Sequence, residues 1–240
     1  MTAGALVLEN VSVRYGGVQA LRDVSLTVAP GNIVGLIGPN GAGKTSLINA
    51  TTGIVAIEAG SIRLGTFALN RLPTYRIARV GVARTYQNIR LFGALSVRTN
   101  LHAGAYRRGT TLPDAEARAL LARVGIEAGS LDARASGLPY GEQRRLELAR
   151  ALAARPAAIM LDEPAAGMNP VETSALGKII RSIAADGVGI LLVEHDMSLV
   201  RAVCDDVVVL NFGQVIARGT PAQIAADPAV IEAYLGTDDG

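Results

Sequence analysis

The sequence predicts an α/β protein built on a mostly parallel β-sheet, with helices covering both faces of the sheet. The first observation is a set of short apolar runs of strand length, bounded by glycine or asparagine: 33–37, 158–161, 189–193 and 207–210. The second is a set of helix-like stretches that alternate with those runs: 44–52, 141–153, 170–185 and 198–204. The helix at Pro170 has a clear start, with Asn169 at the N-cap, proline at the first helical position and Glu172 in the capping-box position.

Two regions depart from this alternation. Residues 6 to about 30 alternate apolar and polar side chains, which predicts an antiparallel, half-exposed sheet at the N-terminus. Residues from about 88 to 155 contain the helical run 115–124 and no convincing strand, so we expect a helical subdomain inserted into the α/β core. We expect a single nucleotide-binding domain over residues 1–240, since no linker or repeat divides the chain.

Composition excludes several classes of protein. The 240 residues are 50% apolar and 18% charged, with a mean hydropathy of +0.32, which is typical of a folded domain and argues against disorder. No apolar run reaches the roughly 18 residues of a membrane span, and the N-terminus lacks the pattern of a secretory signal. Cys204 is the only cysteine, which fits a reducing cytosol. With a net charge of +2 and 4% aromatic residues, we expect no nucleic-acid partner.

A phosphate-binding loop follows the first apolar run. Residues 38–45 read Gly-Pro-Asn-Gly-Ala-Gly-Lys-Thr, which matches the pattern G-x-x-x-x-G-K-[ST] between a strand and a helix. Glycines let the backbone N–H groups point at a phosphate, Lys44 supplies a cation and Thr45 can ligate Mg²⁺. The chain is therefore predicted to bind a nucleoside triphosphate and Mg²⁺, with loop contacts from Gly38, Pro39, Asn40, Gly41, Ala42, Gly43, Lys44, Thr45 and Ser46.

Acidic residues end a second apolar run. Asp162 follows the run 158–161 and is predicted to hold Mg²⁺ directly or through water. Glu163 should point to the opposite side of an extended chain, where it can orient the attacking water and accept its proton. His195 follows the run 190–193, and we expect it to donate a hydrogen bond to the γ-phosphate. The alternative is an ordinary surface or core histidine.

At this point the set of motifs resembles the ATP-binding cassette (ABC) ATPases over essentially the whole chain. Residues 138–142, Leu-Pro-Tyr-Gly-Glu, lie where that family usually has its signature Leu-Ser-Gly-Gly-Gln. The resemblance implies a P-loop core, and two chains that clamp ATP head to tail, each signature motif covering the other chain's nucleotide. It also implies that Tyr15 stacks on adenine, and that Gln87 ligates Mg²⁺ or positions water and signals to the helical subdomain. Signature contacts to the nucleotide would come from Pro139, Tyr140, Gly141 and Glu142. Asn169 either crosses the dimer interface or only caps its helix.

A narrower resemblance concerns three longer stretches. Residues 84–92, 163–170 and 230–236 are similar to the ATPase subunits of branched-chain (hydrophobic) amino acid importers, and a related group serves urea and short amides. This implies a second ATPase subunit, two membrane permeases and an external solute-binding protein, with the chain at the cytoplasmic face of the inner membrane. An ABC protein acting without permeases and a P-loop phosphotransferase are the alternatives.

The signature motif departs from the family pattern. Pro139 replaces the usual serine and offers neither a hydroxyl nor an N–H, and Glu142 places a carboxylate where glutamine is usual. A Glu is also missing before Asn100. We therefore expect a heterodimer, rather than a homodimer, in which the site using this motif is the weaker one.

Overall fold

The computed structural model describes residues 4–106, 109 and 111–235. Within these residues, six strands form one sheet in the order β10-β9-β3-β8-β7-β6. Strands β6, β7, β8, β3 and β9 are parallel and β10 is antiparallel to β9. The bounds of these strands are β3 Ile33–Ile37, β6 Val82–Arg84, β7 Ala158–Asp162, β8 Gly189–Val193, β9 Asp206–Asn211 and β10 Gln214–Gly219.

A second sheet is antiparallel and has the order β2-β1-β4-β5. Its strands are β1 Leu6–Tyr15, β2 Val18–Val28, β4 Ala59–Leu64 and β5 Phe67–Ala68. Six of the ten residues of β1 and four of the eleven residues of β2 are buried, so this sheet covers the core with one face and meets solvent with the other.

The helices have the bounds α1 Lys44–Thr51, α2 Thr74–Val80, α3 Val97–Ala105, α4 Asp114–Arg123, α5 Tyr140–Ala153, α6 Pro170–Ala185, α7 Met197–Val203, α8 Pro221–Ala225 and α9 Pro228–Leu235. Two short 3₁₀ turns, Ala128–Asp132 and Ala135–Gly137, connect α4 to α5. Helices α3 to α5 lie between β6 and β7 in the chain, within the range 88–155 predicted as a helical subdomain. In the described part of the chain, no helix has both the length and the apolar character needed to cross a bilayer.

Two apolar layers hold the fold together, one on each face of the six-stranded sheet. Because successive strand residues point to opposite faces, Leu36 faces α1 and the antiparallel sheet, whereas Ile37 faces the helical side. Every side chain of β3, β7 and β8 is buried, as expected for parallel strands covered on both faces.

The predicted fold class is confirmed, including the antiparallel N-terminal sheet. The strands at 33–37 and 189–193 and the helix at 170–185 have the predicted bounds. The other predicted elements differ by one residue at one end, or at both ends for the strand at 207–210 and the helices at 115–124 and 198–204. The predicted cap of α6 is also confirmed, because the Asn169 side chain accepts the N–H groups of Val171 and Glu172 at 3.0 Å and Glu172 Oε2 accepts the Asn169 N–H. Gly236, part of the stretch 230–236, lies outside the described residues.

Candidate functional site

The phosphate loop joins β3 to α1 at the carboxyl edge of the parallel sheet. Gly38 and Gly43 have φ values of +147° and +107°, in the region that favours glycine. A Cβ on Gly38 would lie 2.1 Å from Leu210 O, and one on Gly43 would lie 2.8 Å from Ala20 O. Both positions therefore require glycine for the loop to curl against its neighbours. The loop ends at the N-terminus of α1, where free N–H groups favour an anion.

Lys44 folds back over this loop. Its Nζ donates to Gly38 O at 2.6 Å and to Pro39 O at 2.9 Å, which holds the ammonium above the loop. Burial lowers the pKa of Lys44, while the nearby Glu163 and Asp162 carboxylates oppose this shift. An anion placed in the loop would meet a partly desolvated cation, which strengthens their attraction.

Asp162 ends β7 and is buried with a counter-ion. Its Oδ2 lies 3.2 Å from Arg84 Nη2, and the two side chains are only 8% and 9% exposed. Its backbone N–H donates to Thr85 Oγ1 at 3.3 Å. Burial raises the pKa of Asp162, and the Arg84 guanidinium opposes the shift. Arg84 also donates to Asn49 Oδ1 of α1 at 2.8 Å, so it joins the loop helix to β7.

Glu163 does not continue the extended strand, and the prediction that it does so was wrong. Its φ of +47° places it in the left-handed region, and its N–H donates to Val193 O at 2.9 Å. The turn nevertheless directs its carboxylate toward the phosphate loop. Gln87 Nε2 donates to Glu163 Oε2 at 2.8 Å, and His195 Nδ1 lies 3.8 Å from Oε1. The structure therefore brings Gln87, Glu163 and His195 together, and their catalytic roles remain predictions.

Glu194, which directly precedes His195, stabilises this arrangement by accepting two backbone hydrogen bonds. The side chain is 2% exposed, and its two oxygens accept the N–H groups of Ala165 at 2.9 Å and of His195 at 3.2 Å. Burial raises the pKa of Glu194. A buried carboxylate thus ties the turn after Glu163 to the segment that carries His195.

The P-loop cleft is an open cavity of about 470 Å³ over the phosphate loop. Its walls are formed by residues 18–20, 40–46, Gln87, Glu163, Phe212 and Gly213. Tyr15 is not among these lining residues; it ends β1, is 44% exposed and pairs with Val18, which does line the cleft. The stacking role of Tyr15 thus remains a prediction. Sequence reasoning missed Val18 and Phe212 because neither belongs to a motif.

The signature residues lie apart from this cleft. Pro139 is the N-cap of α5 and makes no side-chain capping bond, and Tyr140, Gly141 and Glu142 form the first turn. This helix start is not part of the lining of the P-loop cleft in the described chain. Contacts of residues 139–142 with a nucleotide thus remain a prediction.

Two functional contacts were missed by sequence reasoning. Arg84, the buried partner of Asp162, lies three residues before Gln87 within the stretch 84–92, and that position was the available signal. Glu194 directly precedes His195, but a carboxylate at a strand end gives no sign that it will be buried.

Comparisons with known proteins show the family of this chain. Residues 21–166 match the family described as ABC transporter, and residues 214–240 match the family described as branched-chain amino acid ATP-binding cassette transporter. The high-affinity branched-chain amino acid transport ATP-binding protein LivG of Escherichia coli K12 is 41% identical, over 98% of this chain and 99% of LivG. BraF of Pseudomonas aeruginosa, described in the same words, has the same identity and coverage. Among solved structures, the ADP conformation of MJ1267, an ATP-binding cassette of an ABC transporter, has a TM-score of 0.87 and 28% identity, covering 96% of this chain and 98% of MJ1267.

Proposed function

This chain belongs to the ABC transporter family, and we propose that it is the ATP-hydrolysing subunit of an importer for branched-chain or other hydrophobic amino acids. The solute is proposed from the names of LivG and BraF and from the match at residues 214–240. We place the subunit peripherally at the cytoplasmic face of the cell membrane, on two permeases that receive solute from an external binding protein. The observation that carries the proposal is the P-loop cleft, where Lys44 and Glu163 line the phosphate loop and the strand-end Asp162 lies close enough to act on the charge of Lys44.

The residues of the cleft fit a magnesium-bound triphosphate. The backbone at Gly38 and Gly43 leaves no room for side chains, which keeps the loop curled next to the start of α1, where N–H groups can take phosphate oxygens. Thr45 and Asp162 provide the hydroxyl and carboxylate oxygens that Mg²⁺ prefers, with Gln87 as a further oxygen donor. Held by Thr45 and Asp162, Mg²⁺ would supply positive charge that offsets the negative charge of the triphosphate.

Hydrolysis then depends on positioning and charge. Lys44 holds the β- and γ-phosphates with its ammonium, and Glu163 orients a water in line with the γ-phosphate and accepts its proton. Gln87 and His195 both approach the Glu163 carboxylate, so they fix its direction and can place the water or the γ-phosphate beside it. Tyr15 would stack on the adenine at the outer end of the cleft.

ABC ATPase subunits of transporters work as dimers with membrane components, and we propose a second, similar ATPase as the partner. Tyr140 and Gly141 would offer amides at the start of α5 to the γ-phosphate held by that partner. Pro139 and Glu142 weaken this contact, which favours a heterodimer with unequal sites. Changing the catalytic glutamate of each subunit to glutamine in turn tests the asymmetry, and equal losses of ATP turnover would contradict it.

A groove lined by Arg84 and Phe92, the two ends of the segment 84–92, supports docking to a permease. Its volume is about 340 Å³, and it lies between α2, β6, α3 and α5. Phe92, 52% exposed, and Arg150 line it, together with small side chains such as Ala103 and Ala151. A groove of this composition suits a short helix of a membrane protein, and its contact with the segment 84–92 gives ATP binding a route to the permease.

Two substitutions and one control test the proposal. Lys44→Ala should abolish ATP turnover, whereas Lys178→Ala changes the chain's other lysine, on α6, and should leave it unchanged. Glu163→Gln should keep ATP binding, lower turnover at least 100-fold, about the effect of removing one catalytic group, and trap a closed dimer. Binding is measured by calorimetry with ATP and Mg²⁺, and turnover by phosphate release. No binding heat from the folded wild-type chain would refute the proposed function, and wild-type turnover by Glu163→Gln would refute the role of Glu163.

A further inference from the structure

A closed ring of hydrogen bonds connects the proposed catalytic glutamate to the start of α5. We call it the Tyr140 ring, and its members are Glu163, Gln87, Tyr86, Arg144, Tyr140 and Ala166. Five of these residues come from three separate segments of the chain: residues 86–87, Arg144, and the turn 163–166. The sixth, Tyr140, is the point at which the ring reaches the signature motif.

One half of the ring passes through the segment after β6. Gln87 Nε2 donates to Glu163 Oε2 at 2.8 Å, and the preceding carbonyl, Tyr86 O, accepts Arg144 Nη1 at 3.1 Å. Arg144 lies on α5 and is 7% exposed, so its guanidinium is held in a largely dry environment. Any shift of Gln87 relative to Glu163 therefore moves a peptide unit that α5 holds directly.

The other half passes through the Tyr140 hydroxyl. This oxygen accepts Arg144 Nε at 3.1 Å and Nη2 at 2.9 Å, and it donates to Ala166 O at 3.1 Å. The Ala166 N–H returns to Glu163 O at 3.2 Å, which closes the ring. A phenol hydroxyl can donate one hydrogen bond and accept two, so all hydrogen-bonding positions of the Tyr140 hydroxyl are occupied.

Tyr140 departs from the usual signature sequence, and its side chain adds contacts that the usual residue cannot make. The usual signature Leu-Ser-Gly-Gly-Gln has glycine where this chain has Tyr140, and glycine has no side chain that could link Arg144 to Ala166. The phenol of Tyr140 also stacks on the Arg144 side chain, with its aromatic centroid 5.4 Å from the guanidinium Cζ. The hydroxyl thus satisfies two donors of a buried cation and anchors the turn that follows Glu163.

We propose that Tyr140 and Arg144 are positioning residues that couple the chain's own ATP site to the signature motif it offers to the partner's site. The inference deepens the proposed function and rests on it, because the signature acts only across a dimer. Glu163 must give part of its carboxylate to the attacking water, and Gln87 bonds to that same carboxylate. Each turnover thus changes the hydrogen bond between Glu163 and Gln87, and Tyr140 transmits this change to the first turn of α5.

The test is Tyr140→Phe, which removes only the hydroxyl and opens the ring at Arg144 and at Ala166. Tyr75→Phe, the same change on the exposed face of α2, is the matched control. Tyr140→Phe should leave the dissociation constant for Mg-ATP of the isolated chain within about twofold. In the assembled ATPase it should lower kcat about tenfold, change KM less than threefold, and bring the Hill coefficient for ATP to about 1.

Arg144→Lys is the second variant, because lysine keeps the charge but lacks the planar fork with which the guanidinium donates to Tyr86 O and to the Tyr140 hydroxyl from separate nitrogens. It should lower kcat and the Hill coefficient in the same direction, and the double variant should lose less than the two single losses multiplied. Hydrogen exchange should show that ATP protects amides 141–145 less in Tyr140→Phe than in Tyr75→Phe, with equal protection of the phosphate loop. Unchanged kcat and Hill coefficient in Tyr140→Phe would overturn the proposal, as would a loss of ATP binding or of thermal stability equal to the loss of turnover. Failure of the wild-type chain to bind ATP would instead refute the proposed function.

Discussion

Replacing Arg84 with leucine should lower the free energy of unfolding by about 4 kcal/mol, because removing one partner of a buried ion pair costs about 3–5 kcal/mol. The pair with Asp162 joins Nη2 to Oδ2 at 3.2 Å, with both side chains less than one-tenth exposed, so solvent screens it little. Leucine fills part of the volume but leaves the Asp162 carboxylate buried without its cation. The same change removes the hydrogen bond to Asn49 and the stacking of the guanidinium 4.4 Å from the Tyr86 ring centroid.

Urea unfolding followed by circular dichroism measures this loss. With a slope of about 3 kcal/mol per molar urea, the midpoint should fall by about 1.3 M. Arg84→Lys keeps the charge but loses the fork geometry, and it should cost less than half as much. In an Asp162→Asn background, Arg84→Leu should cost at least 2 kcal/mol less than in the wild type, since no unpaired charge remains. This difference is about the coupling energy expected of a buried pair. A cost below about 1 kcal/mol, or one independent of residue 162, would refute the ion-pair argument.

Three further predictions concern Glu163, Glu147 and Asn169. Because Glu163 has a φ of +47°, Glu163→Gly should be about 1 kcal/mol more stable to urea than Glu163→Ala, whereas alanine is usually the more stabilising of the two. An Ala variant at least as stable as the Gly variant would show that the turn is unstrained. Burial raises the pKa of Glu147 above 4.5, so the folded state binds its proton more tightly and this group's contribution to stability is lost as pH rises. The stability of Glu147→Gln relative to wild type should therefore improve from pH 4.5 to about pH 7 in urea titrations, and a flat difference would contradict the assignment. Asn169→Ala should cost about 1 kcal/mol of stability through the lost cap, whereas Asn88→Ala, at an exposed position, should cost little.

The parallel core could be predicted because its signals are local. Strand β3 is an unbroken apolar run, and the glycine pattern that follows it is required by the φ values of Gly38 and Gly43. The cap of α6 is equally local, since Asn169 and Glu172 lie within one turn of each other. Each of these features is decided by residues that are close in the chain.

Features that depend on distant partners could not be predicted. Strand β6 has three residues, too few for a recognisable pattern, and it exists because Val82 and Ala83 pair with β7. The ion pair of Arg84 with Asp162 and the burial of Glu194 are set by residues 78 and 29 positions away. An arginine or glutamate gives no local sign of such burial, so only the assembled sheet reveals it.

The error at Glu163 explains how the site is built. An extended chain would have placed Glu163 on the opposite face of the sheet from Asp162, and alternation alone would have set its direction. The left-handed turn ends the alternation, and the turn is held by Ala165 N–H on Glu194 and by Ala166 N–H on Glu163 O. Glycine adopts this conformation without strain but carries no carboxylate, and a glutamate in it costs about 1–3 kcal/mol. The buried Glu194 and the Tyr140 ring offset that cost, so this part of the fold keeps an acid at a position where backbone energy alone favours glycine.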